Sequence, residues 1–338
     1  MYFRTLGRKR SRIAWRHKFD VGCRVIAAAA VVVTIAVGGT VQGIAAAAPA
    51  RRVPAPGEFE KLVVPSLMGP ITVEVQWAAR GGNAALYLLD GLRARDDRNA
   101  WSFETNARAQ FRDDNISLIM PVGGQASFYA DWYGASTTNG QKTTYKWETF
   151  LTRELPLFLE GYGVSRTNNA VGGLSMGASA ALALAAYHRD QFKYAASFSG
   201  YLNLSGLGMR EALRLAMLDA GGYNVDNFAP PSSPQWLRQD AVVFAPQLRG
   251  LPMYISAASG LPGPYDRPNS AIGVFNTGTA MALEVLSLVT TRSFQARLGS
   301  LGIPARFDFP NVGTHSWPYW EGQLFQARPG ILDATGAW

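Results

Sequence analysis

Asn169-Ala170-Val171-Gly172-Gly173-Leu174-Ser175-Met176-Gly177-Ala178-Ser179-Ala180-Ala181-Leu182 is the segment on which the architecture turns. Its first part, Asn169–Leu174, is a short apolar run of strand character. The alanine-rich stretch from Met176 to His188 has the composition of a buried helix. Between them Gly173-Leu174-Ser175-Met176-Gly177 matches Gly-x-Ser-x-Gly. A serine on a sharp strand-to-helix turn requires that spacing, because the turn is strained and the glycines let the chain pass where a Cβ would clash. The helix starting at Met176 aims its free N–H groups at negative charge developing beside the serine. The pattern predicts a nucleophilic Ser175 rather than a structural glycine turn.

Outward from this turn, strand and helix signals alternate. Ile71–Ala78, Ala84–Asp90, Ile116–Pro121, Tyr194–Ser199, Met253–Ala257 and Ala305–Phe309 read as strands ending in turn residues. Glu148–Gly161 carries Phe150, Leu151, Leu155 and Phe158 at helical spacing, and Met281–Leu298 is the longest helical pattern. Such alternation predicts an α/β protein with a mostly parallel central sheet covered by helices on both faces. With the serine turn, this is the α/β-hydrolase fold. One domain is expected over residues 58–338, after a proline-rich junction at Arg51–Gly57. Leu204–Gly250, with a helix at Met209–Asp219 and proline-rich loops, reads as an insertion that walls a site.

The base follows by elimination among three histidines. His17 lies near the N-terminus, and His188 ends the alanine-rich helix, where it is expected to face solvent or the helix dipole. His315, in Asn311-Val312-Gly313-Thr314-His315-Ser316-Trp317, follows the last strand, where this fold places its base. The acid must lie between Ser175 and His315. Position after the penultimate strand favours Asp266, with Glu284 next, and the role of holding the imidazole tautomer suits either carboxylate.

The net charge of +8 is located rather than spread. Arg4, Arg8, Lys9, Arg10, Arg12, Arg16, Lys18 and Arg24 face one acid, Asp20, within residues 1–50, so the remainder of the chain is almost neutral. That distribution argues against nucleic acid as a partner. The basic stretch, the apolar run Val25–Val37 and the small residues Ala45–Ala50 predict a signal peptide over residues 1–50, cleaved near 46–50. The apolar run is shorter than the roughly 20 residues a membrane span needs. A secreted or cell-envelope protein is expected. Its single cysteine, Cys23, falls in this leader, which excludes disulfides, thiol catalysis and cysteine–metal sites from the mature chain.

Several further blocks carry a resemblance. Leu88-Leu89-Asp90-Gly91-Leu92-Arg93, Pro121-Val122-Gly123-Gly124-Gln125, Ser127-Phe128-Tyr129, Asp131-Trp132-Tyr133 and Tyr145-Lys146-Trp147-Glu148-Thr149-Phe150 precede the serine turn. Asp219-Ala220-Gly221-Gly222-Tyr223 and Gly313-Thr314-His315-Ser316-Trp317 follow it. In this order the blocks resemble the antigen 85 mycolyltransferases along essentially the whole mature chain. The resemblance implies transfer of a mycolyl group from trehalose monomycolate to a second trehalose monomycolate or to cell-wall arabinogalactan, with diacylglycerol acyl transfer as a side activity. It selects Glu284 over Asp266, since Leu283-Glu284 matches the family's acid segment. It implies oxyanion donors at the N–H groups of Leu92 and Met176, and sugar contacts at Asp90, Arg93 and Trp317. No metal or organic cofactor is implied.

Departures from the family pattern are also legible. Gly134–Lys142 lacks a cysteine pair that many members carry, and the strand near Tyr254 lacks their cysteine, so thiol-directed inhibitors should not act there. Arg95 stands where glutamine is usual. Ala109–Asn115, matching a proposed fibronectin-binding segment, lacks the expected aromatic cluster, which speaks against matrix binding. Two other functions remain open to a chain with this serine turn: a secreted carboxylesterase, or a non-catalytic envelope- or matrix-binding protein on the same fold.

Overall fold

The computed structural model describes residues 53–338. The expected leader, its cleavage region and Cys23 lie outside the described residues. An eight-stranded sheet runs in the order β1-β2-β4-β3-β5-β6-β7-β8. The strands are β1 (Phe59–Val64), β2 (Ile71–Gln76), β3 (Ala84–Leu89), β4 (Ile116–Pro121), β5 (Asn169–Leu174), β6 (Phe192–Phe198), β7 (Met253–Ser256) and β8 (Arg306–Asp308). β1 and β2 pair antiparallel with each other, and β2 with β4. From β4 onward every pairing is parallel.

Parallel strands covered on both faces need apolar side chains in both directions, and β3, β4 and β5 are buried at every residue. Along β3 the side chains alternate between two cores. Ala85, Tyr87 and Leu89 pack on one face, Leu86 and Leu88 on the other. The helix Met176–Tyr187 covers the first face, and its run of small residues lets it lie close, so that Met176 through Ala186 are all buried. The C-terminal helix Trp317–Thr335 covers the second through Trp320, Leu324, Ala327 and Ile331.

β3 connects outward to β4, and the chain then crosses back to β5 on the opposite side of β3. The loops leaving β3 and β5 therefore diverge, opening a crevice at the carboxyl ends of the strands, the place where α/β sheets bind ligands.

Three of the helices read from the sequence take a different form. The helix expected over Glu148–Gly161 is divided into Trp147–Thr149, a wider π segment at Phe150–Glu154, and Leu155–Glu160. Pro156 explains the widening, because it has no N–H for the preceding turn and its ring crowds the carbonyl four residues back. The helix expected from Met281 begins ten residues earlier, as Ala271–Ser300, with Ser270 Oγ capping the N–H of Gly273. Gly273 and Gly278 dilute the pattern there, and the first buried residue is Glu284. The insertion helix runs over Met209–Gly221, stopped by Gly222 in the left-handed conformation.

Candidate active site

Ser175 has φ +52° and ψ −119°, a strained conformation at the tip of the β5 turn, and its N–H donates to the Phe198 carbonyl at 2.8 Å. The glycines around it are required by space. A Cβ on Gly173 would sit 2.4 Å from the Gly177 carbonyl oxygen, and one on Gly177 would sit 2.4 Å from that of Asp90. The same crowding brings the loop after β3 against the turn, since a Cβ on Gly91 would stand 3.7 Å from the Ser175 Cβ. Leu92 follows directly in the chain and lines the same cavity as Ser175, and Met176 is the first residue of the helix after it.

His315 is oriented by Glu284. Its Nδ1 lies 2.8 Å from Glu284 Oε2, and both side chains are almost wholly buried, at 7% and 1% exposure. The other carboxylate oxygen accepts from Ser199 Oγ and from the Ala258 N–H, each at 2.7 Å. Four lone-pair positions on a buried carboxylate demand donors, and these three fix its plane. The N–H on Nδ1 leaves Nε2 with its lone pair, and Nε2 is buried with no hydrogen-bond partner among the described residues. Ser175 and His315 line one cavity of about 630 Å³.

Asp266 is not part of this pair. Its carboxylate accepts from Thr314 Oγ1 at 2.7 Å, Tyr319 Oη at 2.5 Å and the Gly263 N–H at 2.9 Å, which braces the loop that carries His315. His188 also departs from expectation: instead of facing solvent, its Nε2 bonds Glu148 Oε1 at 2.7 Å, and Arg238 pairs with the same carboxylate.

Two residues that sequence reasoning missed surround the imidazole. Tyr201 lies nearly parallel to the His315 ring at 6.0 Å, and Trp320 meets it edge-on at 4.8 Å. Ser199, at φ +54°, donates to Glu284 and accepts from Trp320 Nε1 at 2.9 Å. The only signal was position: Ser199-Gly200-Tyr201 directly follows β6, the neighbour of β5.

The cavity has two kinds of wall. One is apolar, with Leu213, Leu215 and Ala216 from the insertion helix and Leu283 and Leu286 from the long helix. The other carries Asp90, Arg93, Arg95, Glu104 and Trp317. Asp90 is buried, and its carboxylate accepts from the Ala100 N–H at 3.0 Å. Burial pushes its pKa up to about 7, against the lowering by that hydrogen bond, with Glu74 and Glu104 adding to the rise. Arg93 pairs with Asp219 across the mouth. Trp317 stands edge-on to Trp101 at 5.5 Å. Among the described residues no group of three or more His, Cys, Asp or Glu is placed to hold a metal.

The esterase family model matches residues 65–331. The diacylglycerol acyltransferase/mycolyltransferase Ag85C of Mycobacterium avium is 44% identical over 281 residues, covering 82% of this chain and 77% of that protein. The diacylglycerol acyltransferase/mycolyltransferase Ag85B of Mycolicibacterium smegmatis is 41% identical over 325 residues, 92% of this chain and 95% of that protein. The crystal structure of Mycobacterium tuberculosis MPT51 (FbpC1) superposes with a TM-score of 0.70 at 29% identity, over 82% of this chain and 99% of that one. The chain thus belongs to the antigen 85 mycolyltransferase family of α/β-hydrolase-fold esterases.

Proposed function

We propose that the protein is an exported mycolyltransferase that moves a long acyl chain from one trehalose ester to another, or to cell-wall arabinogalactan, through a seryl acyl-enzyme. The observation that carries this reading is the two-walled cavity. Ser175 and His315 line one cavity with apolar side chains suited to an acyl chain and with polar and tryptophan side chains suited to a sugar.

In the first half-reaction the Ser175 hydroxyl gives its proton to His315 Nε2, and Oγ attacks the ester carbon. The carbonyl oxygen takes up the electron pair, facing the N–H groups of Leu92 and Met176. Glu284 holds the Nδ1–H tautomer and stabilises the imidazolium. Collapse expels the trehalose oxygen, which takes the proton from Nε2. In the second half-reaction an acceptor hydroxyl gives its proton to Nε2, attacks the acyl carbon and releases Ser175. Asp90, Arg93 and Trp317 hold the sugar, so that an acceptor hydroxyl rather than water meets the acyl-enzyme.

Trapping tests the covalent step. Incubation with a slowly deacylating ester, quenching in acid and peptide mass spectrometry should find the acyl group on the peptide containing Ser175. Ser175→Ala should carry none. An acyl group on another residue, or an unmodified enzyme during turnover, would exclude this mechanism.

A further inference from the structure

The loop that presents His315 is pinned on both sides of the histidine to one carboxylate. Thr314 precedes His315, and Tyr319 follows it in the first turn of the C-terminal helix. Thr314 Oγ1 donates to Asp266 Oδ1 at 2.7 Å, and Tyr319 Oη donates to Asp266 Oδ2 at 2.5 Å. Thr314 is buried, so its hydroxyl needs a partner within the protein, and a bond to a carboxylate is stronger than one to a neutral acceptor. Partial burial and the bond to Asp266 push the Tyr319 phenol up to about 12, so it stays a donor at neutral pH. Asp266 is set in turn by its own segment: Oδ2 accepts from the Gly263 N–H at 2.9 Å, and its N–H donates to the Gly263 carbonyl at 3.1 Å. Backbone bonds join the same two loops, from the Gly313 N–H to the Leu261 carbonyl at 2.7 Å and from the Gly260 N–H to the Gly313 carbonyl at 2.9 Å. At the start of this segment the Ala258 N–H holds Glu284 Oε1. Residues 258–266 thus grip the acid at one end and the loop of the base at the other.

We propose that Asp266 is a positioning residue for the acyl transfer: by tying down Thr314 and Tyr319 it fixes the place of the imidazole between them in the chain. This rests on His315 being the base. The two carboxylates then divide the work. Glu284 bonds Nδ1 and sets the tautomer, whereas Asp266 acts on the chain from which the ring projects. Without Asp266 the His315 N–H still has the Ala280 carbonyl at 3.2 Å and Nδ1 still has Glu284, so the base is retained but held less firmly. A displacement of about 1 Å in a reacting group can cost on the order of a hundredfold in rate. The cavity that holds Ser175 and His315 is lined without Asp266, so the loss falls on kcat and spares substrate binding.

Asp266→Ala removes the anchor, and Thr314→Val removes one of its donors at nearly the same shape. With a p-nitrophenyl ester, kcat per burst-active site should fall roughly ten- to a hundredfold in Asp266→Ala and about tenfold in Thr314→Val. KM should stay within about twofold of the parent in both. Thr314→Ser keeps the hydroxyl and should hold kcat within about threefold of the parent. The double variant should be no slower than Asp266→Ala, because both changes cut the same bond. A purely structural brace would lower the melting temperature and the burst amplitude but leave kcat per site unchanged, and that result would overturn the proposal. So would a Thr314→Ser variant as slow as Thr314→Val, or a change confined to KM. If Asp266→Ala fails to fold, the two Thr314 variants decide alone. His315→Gln, run alongside, separates the two claims. If it retains the burst, the base assignment fails and the proposal with it; if it abolishes the burst while the other variants turn over like the parent, only the role of Asp266 fails.

Discussion

At the scale of single residues, the site depends on donors and acceptors held in one arrangement. Glu284→Gln keeps the volume of the acid but removes its charge and can present the wrong group to His315 Nδ1; kcat on a chromogenic ester should drop by roughly 10³–10⁴. Ser199→Gly keeps the positive φ at no strain and deletes one of the two donors to Glu284 Oε1. Its kcat should fall about tenfold with little change in KM. Asp90 makes a pH-dependent prediction. Its folded pKa of about 7 lies above the ordinary 3.8, so the folded state binds the extra proton between those values and stability falls as pH rises through that window. Asp90→Asn lacks the cost of ionising a buried carboxylate, so its melting temperature relative to the parent should rise from pH 5 to pH 8. A difference that stays constant across that range would contradict the assignment.

At the scale of elements, legibility tracked how strongly local chemistry constrained each segment. β4 and β5 occupy the expected residues, Ile116–Pro121 and Asn169–Leu174, because apolar runs bounded by turn residues leave few alternatives. The turn at Ser175 was readable for steric reasons that the structure states in distances. Gly177→Ala should push the helix from the end of β3, lower the melting temperature and reduce activity by more than a hundredfold, since its Cβ would meet the Asp90 carbonyl at 2.4 Å. The π segment was hidden because a single proline acts through the register of the turn before it, which hydrophobic spacing does not show. The early start of the long helix was hidden because its first turns bury nothing. Those turns nevertheless matter to the site, as the His315 N–H donates to the Ala280 carbonyl and Glu284 lies one turn further on. Amides of residues 271–280 should exchange with solvent faster than those of residues 287–298, a contrast that hydrogen-exchange mass spectrometry resolves.

At the scale of the whole molecule, the fold gathers groups that lie far apart in sequence. The loop after β3 brings Asp90, Leu92 and Arg93, the β5 turn brings Ser175, the long helix brings Glu284, the loop after β8 brings His315, and the C-terminal helix brings Trp317. The order serine, acid, histidine was readable from the chain; fold position alone left Asp266 and Glu284 open, and the family resemblance selected Glu284. Both carboxylates fall in plausible places, and the packing sets Asp266 to bracing Thr314 and Tyr319 and Glu284 against His315. Tyr201 and Ser199 were illegible for the same reason, since their roles exist only through partners distant in sequence. With the chain's one cysteine at position 23, packing and not disulfides must hold residues 53–338 together, and the melting temperature should be the same with and without reductant. Acyl transfer between sugars is tested by resolving the products of a trehalose monoester. Transfer predicts one free trehalose for each trehalose diester formed, with none from Ser175→Ala. Free fatty acid and trehalose without diester would make the protein an esterase and contradict the account.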